Sequence, residues 1–598
     1  MKNIKYFLIV AVLFALNACN DSFLDREPTN DINNSGYWKT ANDLKAYNNG
    51  IYNSAATMAY TSASKEGGNM FFVGHSDGGY NSSVTSSMAL ESKSDNFASL
   101  VSVHQPHVRI AAGQETIPND PSQGGWVWGF LRRCNIFLEN YDKAPILQNL
   151  KDRYAGEVYF FRAWFYLDKV QMYGDVPLVH NSLDVTSPEL FEKQTDRKVV
   201  MDAVLADINK AISLLPTAWP ADHPDRVNKY TALALKSRIC LYEGTFRKYH
   251  GLGDYEKYLN QAVSSSDSVM RLGGYSIYNT GDPASDYRTL FISPDLKGNP
   301  EVIMPKIYAT PGVGHRVSGY IIEQTAGATK DFVEDFLCLD SDGVARPVAL
   351  STSFDDSQVE NCFNNRDPRL TQTILDPRQE TAIFHTNNSY PKLVGMGGWE
   401  SVTGYHFMKF YNHDDFLRGQ NNEISDFPII RLAEVLLNYA EAKAELGTLN
   451  NTDLERSINL IRVRAGMPKM DLNPVMDPKY AGEGISAQLV EIRRERRIEL
   501  SFENFRYQDL MRWKKGAKLK DRVLGIRIND ADLAAGGRFE KATVTTFTLN
   551  GKKYIDAYAG SAYAAERREF LENKHYWHPI PVNVRAKNPN LDQSPYWD

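Results

Sequence analysis

The amino-acid sequence predicts a mainly α chain, in which pairs of helices stack into a frame and long irregular inserts pack on it. Three observations carry this reading. Apolar residues recur at helical spacing in several long segments. These segments come in pairs separated by Gly-containing turns and closed by Pro or Gly. Between the pairs lie two stretches, about 61–123 and 273–427, rich in Gly, Ser, Asn, Asp and Tyr, with only short strand-like runs such as Val302-Ile303-Met304.

The strongest helical segment spans 151–172. Val158, Phe161, Phe165 and Met172 form one stripe, and Phe160, Trp164 and Leu167 a second, which predicts burial on two sides. Trp164, Tyr166 and Tyr173 therefore read as core. The segment 199–215 runs through Val204, Ile208, Ile212 and Leu215 and stops at Pro216. A pair follows at 228–243 and 255–270, around Gly244, Gly251 and Gly253. A later pair has Leu432, Val435, Leu436, Tyr439 and Leu446 on one face of 431–446, ending at Gly447. Its second member, 453–464, runs through Leu454, Ile458 and Ile461 and is closed by Gly466 and Pro468.

Ala232, Ala234, Ala440 and Ala444 are small residues placed where such helices cross. The layout is that of degenerate tetratricopeptide units. One pair cannot bury its apolar face alone, so the pairs must stack. We expect a single domain over 36–598, with a helical frame at about 36–60, 124–272 and 428–598. The inserts at about 61–123 and 273–427 form the ligand side, because long loops in a compact domain commonly carry binding.

Composition narrows the function. Charged residues are 23% and hydrophobic ones 42%, ordinary globular usage that argues against a disordered chain or a fibrous rod. The net charge of −6 excludes a globally basic nucleic-acid footprint. Aromatics are the one excess, with Tyr more numerous than Phe, and Tyr suits half-buried binding faces.

The N-terminus reads as a targeting segment. Lys2 and Lys5 precede an uncharged apolar run over 6–16, too short for a span of roughly 20 residues but right for a secretory core. Leu16-Asn17-Ala18-Cys19 then resembles a bacterial lipoprotein signal, with residues 1–18 removed and Cys19 acylated. Loss of the two lysines takes the net charge to −8. Residues 19–35, rich in Asp, Asn, Ser and Pro, read as a tether, so the body is held at a membrane by lipid alone. Cys134 and Cys240 fall in helical patterns and read as buried thiols. Whether Cys338 and Cys362 pair is left open by the sequence.

No local motif argues strongly for catalysis. Gly74-His75-Ser76-Asp77-Gly78 matches the nucleophile elbow of Ser hydrolases, but the Gly79-Tyr80-Asn81-Ser82-Ser83 that follows is a poor helix start. His104-Gln105-Pro106-His107 lacks the intervening Glu of a zinc helix and reads as a surface turn. Asp340-Ser341-Asp342-Gly343 resembles half a calcium loop, yet Ser351 stands where the closing Glu belongs, so an Asx turn is the better reading. Asp355-Asp356 and Asp414-Asp415 are sequence neighbours, not a pair across a cleft. No cofactor or metal is required by any motif. In Arg493-Arg494-Glu495-Arg496-Arg497, the glutamates Glu491, Glu495 and Glu499 interleave at i,i+4 spacing, which predicts a salt-bridged helix face.

At this point a family resemblance enters. Cys19-Asn20-Asp21-Ser22-Phe23-Leu24-Asp25, a first helix bearing Ala46, Asn49, Gly50 and Tyr52, and Arg162-Ala163 with Tyr173-Gly174-Asp175-Val176-Pro177 resemble the SusD/RagB lipoproteins of Bacteroidetes. So do Arg431-Leu432-Ala433-Glu434-Val435 with Tyr439-Ala440-Glu441-Ala442, Leu460-Ile461-Arg462 with Arg464-Ala465-Gly466, and Glu495-Arg496-Arg497-Ile498-Glu499-Leu500 with Arg506, Asp509, Leu510 and Arg512-Trp513. Pro579-Ile580-Pro581 and Asn588-Pro589-Asn590-Leu591-Asp592-Gln593 close the series, while Ser594-Pro595-Tyr596 and Val584 depart from the usual ending. Each is weak alone; their order and co-occurrence are specific.

The resemblance implies a SusD-like α–α superhelix on an outer-membrane lipoprotein facing the exterior. It also implies a TonB-dependent transporter of the SusC type as partner and an oligosaccharide, or in some members a peptide, as ligand, with no bond chemistry. The family's ligand motifs vary, so the candidates come from the inserts. A glycan site needs aromatic platforms with planar polar partners. His75, Asp77 and Tyr80 form one candidate cluster, Tyr308, Arg316 and Tyr320 a second, and Trp399 a third platform. The competing readings are a peptide-binding scaffold and a Ser hydrolase centred on Ser76.

Overall fold

The computed structural model describes residues 36–56, 87–121, 125–220, 226–311, 314–323, 325–419 and 421–598. The frame comprises α1 (Ala41–Ala56), α2 (Gly129–Asn140), α3 (Gln148–Tyr173), α4 (Arg197–Leu214), α5 (Lys229–His250) and α6 (Tyr255–Leu272). After the second insert come α7 (Leu432–Glu445), α8 (Ile458–Arg464), α9 (Ala487–Glu499) and α10 (Arg506–Arg512). Each packs on its neighbour in turn: α1 and α2 on α3, then α3 on α4, α4 on α5, α5 on α6, α6 on α7 and α7 on α9. One continuous apolar core, including Phe160, Phe161, Phe165, Leu235, Ile239 and Leu436, runs through the stack. This is the stacking that paired amphipathic helices require. Trp164, Tyr166 and Tyr173 are buried in it, as their spacing predicts.

Two helices depart from the sequence reading. α5 does not stop at Gly244 but runs on to His250. A Cβ at Gly244 would lie 2.7 Å from Leu259 Cδ2, so this glycine lets α6 cross closely. The helix ends at Gly251, in the left-handed region at φ +71°, and the Gly251 N–H bonds to the Arg247 carbonyl. The expected helix over 453–464 is two short ones, Asn451–Glu455 and α8. The break falls at Ser457, whose hydroxyl donates to the Asp453 carbonyl at 2.5 Å and competes with the helical ladder. His104-Gln105-Pro106-His107 is not a surface turn either. Pro106 sits in the first turn of the helix Gln105–Ala111, where its missing N–H costs nothing, and His104 is buried.

The inserts build a second apolar cluster around Tyr287, Phe332, Phe336, Phe407, Phe410 and Phe502. Short strands tie it down. β1 (Phe97–Ser99) pairs antiparallel with β3 (Ala326–Ala328), joining Phe97 to Ala328 and Ser99 to Ala326. β2 (Val302–Lys306) pairs with β4 (Phe427–Arg431), and β4 leads directly into α7. A C-terminal sheet has the order β5 (Leu524–Arg527), β7 (Lys552–Asp556), β6 (Thr546–Leu549). Cys338 and Cys362 are both free, buried thiols.

The charged helix α9 carries the ion pairs its pattern predicts, and it is buried: Arg493, Arg494, Glu495, Arg496, Arg497 and Glu499 are all at most 6% exposed. Its partners come mostly from other elements. Glu499 accepts from Arg464 at 2.5 Å, Arg431 at 2.6 Å and Arg369 at 2.9 Å. Glu495 binds Arg369 and Arg462. Arg493 reaches Glu445 of α7, and Arg496 reaches Asp509 of α10. Burial alone would disfavour the Glu499 carboxylate, but the three arginines reverse this and hold its pKa well below the usual range.

Many residues of the family-like motifs are structural. Asp175 accepts from the Arg197 N–H at 2.8 Å at the start of α4, and Arg162 holds Asp207 through two bonds of 2.7 and 2.8 Å. Glu441 accepts from Arg512 and from the Trp513 indole N–H at 2.7 Å. Gln593 brackets Ile580 through its N–H and carbonyl.

Two outcomes follow from these contacts. Glu499→Ala leaves three buried guanidiniums short of a partner and is expected to cost about 3–5 kcal/mol in chemical denaturation. A loss below about 1 kcal/mol would contradict the reading. The second outcome concerns pH. Burial pushes His104 and His406 down to about 3 and His250 to about 4, so between there and about 6.5 protons bind preferentially to the unfolded chain. Glu91 and Asp426, raised by burial to about 7 and about 6, act in the opposite sense but are fewer. Buried Glu441 and half-exposed Asp331 are lowered to about 2 by Arg512 and by Lys479 with Arg497, so their contribution is lost as pH falls from about 4 to about 2. Denaturation midpoints are expected to fall gently from pH 6.5 to 4 and steeply below; a midpoint that rises on acidification would contradict this.

Candidate functional site

A cleft of about 450 Å³ opens where the two inserts meet. Leu100, Val101, Ser102 and Val103 come from the first insert; Arg316, Tyr320, Glu323, Thr325, Val394 and Glu400 come from the second. The β1–β3 ribbon brings them together, and the Leu100 N–H extends it by bonding to the Thr325 carbonyl at 3.1 Å. Behind the first wall, buried His104 hydrogen-bonds Ser99 Oγ at 2.8 Å and so fixes the turn.

The polar wall is a short helix, Val317–Glu323. Arg316, Tyr320 and Glu323 are spaced i, i+4, i+7, so they share one flank. Ile321 and Ile322 lie on the other flank, against an aromatic cluster of Phe384, Tyr390, Tyr411 and Trp399. The helix start is well satisfied: Glu423 accepts from the N–H groups of Ser318 at 2.7 Å and Gly319 at 3.1 Å. At the cleft, the Arg316 guanidinium lies over the Tyr320 ring at 4.4 Å and donates through Nη2 to Glu323.

Glu400 closes the far side on a glycine-rich turn. Its Oε1 accepts from the N–H groups of Gly395 at 3.0 Å and Gly397 at 2.7 Å. Gly395 has φ +94° and approaches Thr543 so closely that a Cβ would meet Thr543 Oγ1 at 2.7 Å. The seat of residues 401–405 on the ribbon depends on Gly327 of β3. A Cβ there would come within 2.3 Å of both Ser401 Oγ and Thr403 Oγ1, so only glycine lets 401–405 lie flat on the ribbon.

The residues singled out by sequence separate cleanly. Arg316 and Tyr320 line the cleft, although Tyr320 is not a bare platform: it is 9% exposed and carries Arg316 on one face. Tyr308 is buried in the insert core at 3% exposure, edge-on to His315, and cannot serve as a platform. Trp399 is half-buried, packed with Phe384, Tyr390 and Phe416 behind the helix, not in the cleft. His75, Asp77, Tyr80, Ser76 and Cys19 lie outside the described residues. Glu323, Glu400 and Thr325 were missed. Helical spacing from Arg316 would have found Glu323; nothing local marks Glu400. Asp340 and Asp342, the half calcium loop, close on Arg346 at 2.9 and 2.7 Å. Among the described residues no three His, Cys, Asp or Glu side chains converge as metal ligands do, and no helix is long and apolar enough to cross a membrane.

Comparison with known proteins bears on this geometry. Residues 315–597 match the family model described as "SusD family", and residues 22–241 match one described as "Starch-binding associating with outer membrane". The chain belongs to the SusD/RagB family. Among its relatives is SusD-like protein P38 of Formosa agariphila, 24% identical, with the match covering 88% of this chain and 94% of that one. SusD-like protein P2 of the same organism is also 24% identical, over 86% and 92%. Among solved structures, a SusD-like carbohydrate binding protein from Bacteroides fragilis aligns with a TM-score of 0.72 at 22% identity, covering 93% of this chain and all of that one. A laminarin binding SusD-like protein aligns at 0.54 and 19% identity, covering 94% and 100%. The shared mainly α fold is the SusD-like one expected from the sequence.

Gly327→Ala forces its new methyl into two hydroxyls and is expected to cost about 1–3 kcal/mol in chemical denaturation. Wild-type stability would contradict the close packing of residues 401–405 on the ribbon.

Proposed function

We propose that this SusD-family chain is a surface-exposed lipoprotein of the outer membrane, anchored through Cys19. It captures an oligosaccharide in the cleft between its inserts and delivers it to a TonB-dependent, SusC-like transporter without cleaving it. The observation that carries this reading is the composition of the cleft. Leu100, Val101, Val103 and Val394 supply apolar surface, while Arg316, Glu323, Glu400 and Thr325 supply planar and hydroxyl polar groups. A sugar ring is amphipathic in the same way: its C–H face suits the aliphatic side chains, and its hydroxyls donate to carboxylates and accept from a guanidinium. The names of the family model and of two structural relatives, which refer to starch, carbohydrate and laminarin, support a glycan over a peptide. Delivery to a transporter and the lipid anchor rest on family membership.

The test is calorimetry of residues 20–598 against soluble neutral polysaccharides. Arg316→Ala removes a donor and uncovers Tyr320, and is expected to weaken binding about tenfold, or about 1.4 kcal/mol. Tyr320→Ala removes the support of Arg316 and is expected to do the same. Affinity unchanged in both variants would move the site elsewhere.

A further inference from the structure

We propose that the cleft selects uncharged glycans and rejects those carrying carboxylate or sulfate groups; this rests on the cleft being the glycan site. Proteins recognise such anions chiefly by an arginine fork that offers two parallel N–H donors, or by a loose lysine. Among the described residues that line the cleft, Arg316 is the one cationic side chain, and one arm of its guanidinium is already engaged. Nη2 donates to Glu323, one face rests on Tyr320, and Nε is buried without a hydrogen-bond partner. Glu323 also cancels its charge.

Glu400 is then uncompensated. Its Oε1 is fixed by two backbone N–H groups, which orients the carboxylate without neutralising it. No ion pair to Glu400 exists among the described residues; the nearby Lys392 donates instead to the Gly397 carbonyl at 3.4 Å. Among the described residues, the lining thus carries one positive and two negative side chains. A bound carboxylate would meet net repulsion at short range and a guanidinium already shared with Glu323. A hydroxyl-rich neutral ring would find two carboxylate acceptors, each stronger than a neutral oxygen.

The experiment compares each neutral polysaccharide that binds with its carboxymethylated derivative, by calorimetry on the intact chain at 20 mM and 500 mM salt. The derivative is expected to bind about tenfold more weakly at low salt, with the gap narrowing at high salt as screening shortens the repulsion. Glu323→Gln, which frees the Arg316 fork, and Glu400→Gln, which keeps the acceptor for Gly395 and Gly397, are each expected to shrink the ratio at least threefold. Equal or tighter binding of the carboxymethylated form by the wild type overturns the inference while leaving glycan capture intact. A ratio unmoved in both variants also overturns it. Failure of every glycan, neutral or charged, to bind overturns the inference together with the function on which it rests.

Discussion

Arg497, 3% exposed at the C-terminal end of α9, is the contact on which the arrangement of the cleft depends. Its guanidinium donates to Asp331 at 2.8 Å, Asp335 at 2.5 Å and Asn96 at 2.8 Å, and pairs with Asp95 at 3.2 Å. Asp95 and Asn96 immediately precede β1; Asp331 and Asp335 follow β3. One side chain of the helical frame therefore grips both strands of the ribbon on which the two inserts meet, at the end opposite Leu100 and Thr325. Thr329 completes the clamp, its N–H bonding to the Asn96 carbonyl and its hydroxyl to the Asp95 carbonyl. The rest of α9 does the same for the frame, reaching α7, α8 and α10 through Arg493, Glu495, Glu499 and Arg496.

Charge is an expensive way to hold a core. Desolvation costs several kcal/mol per ion, and well-packed apolar residues often do as well for stability alone. What charges add is direction. A guanidinium donates along fixed directions in its plane, whereas a leucine packs against many neighbours. A frame of stacked helices has no sheet to align its inserts, and the ribbon of β1 and β3 is only three residues on each strand. The buried network supplies the alignment that so short a ribbon lacks.

This division explains what could be read from the sequence. The helices of the frame were legible because burial on one or two faces imposes a 3.6-residue period, as in Phe160, Phe161, Trp164 and Phe165. Gly244 misled because a glycine in a crossing and a glycine at a stop are the same letter; only the position of Leu259 distinguishes them. α9 was legible as a salt-bridged helix but not in its partners. Interleaved Arg and Glu point to pairs within the helix, while the partners Arg369, Arg431, Arg464 and Asp335 lie far away in sequence. The cleft was half legible. Arg316 and Tyr320 stand out in a Gly-rich insert, but Tyr308 looks equally promising until its burial beside His315 is seen. Glu400 becomes visible only when β1 and β3 close the gap between inserts, a contact of long sequence separation that no local pattern encodes.

The most direct test of the account is a crystal structure of the chain with a bound oligosaccharide. The account requires the sugar in the cleft between 100–103 and the helix Val317–Glu323, with its hydroxyls on Glu323 and Glu400 and its ring edge against Arg316. A sugar seated elsewhere, with this cleft empty, would contradict it.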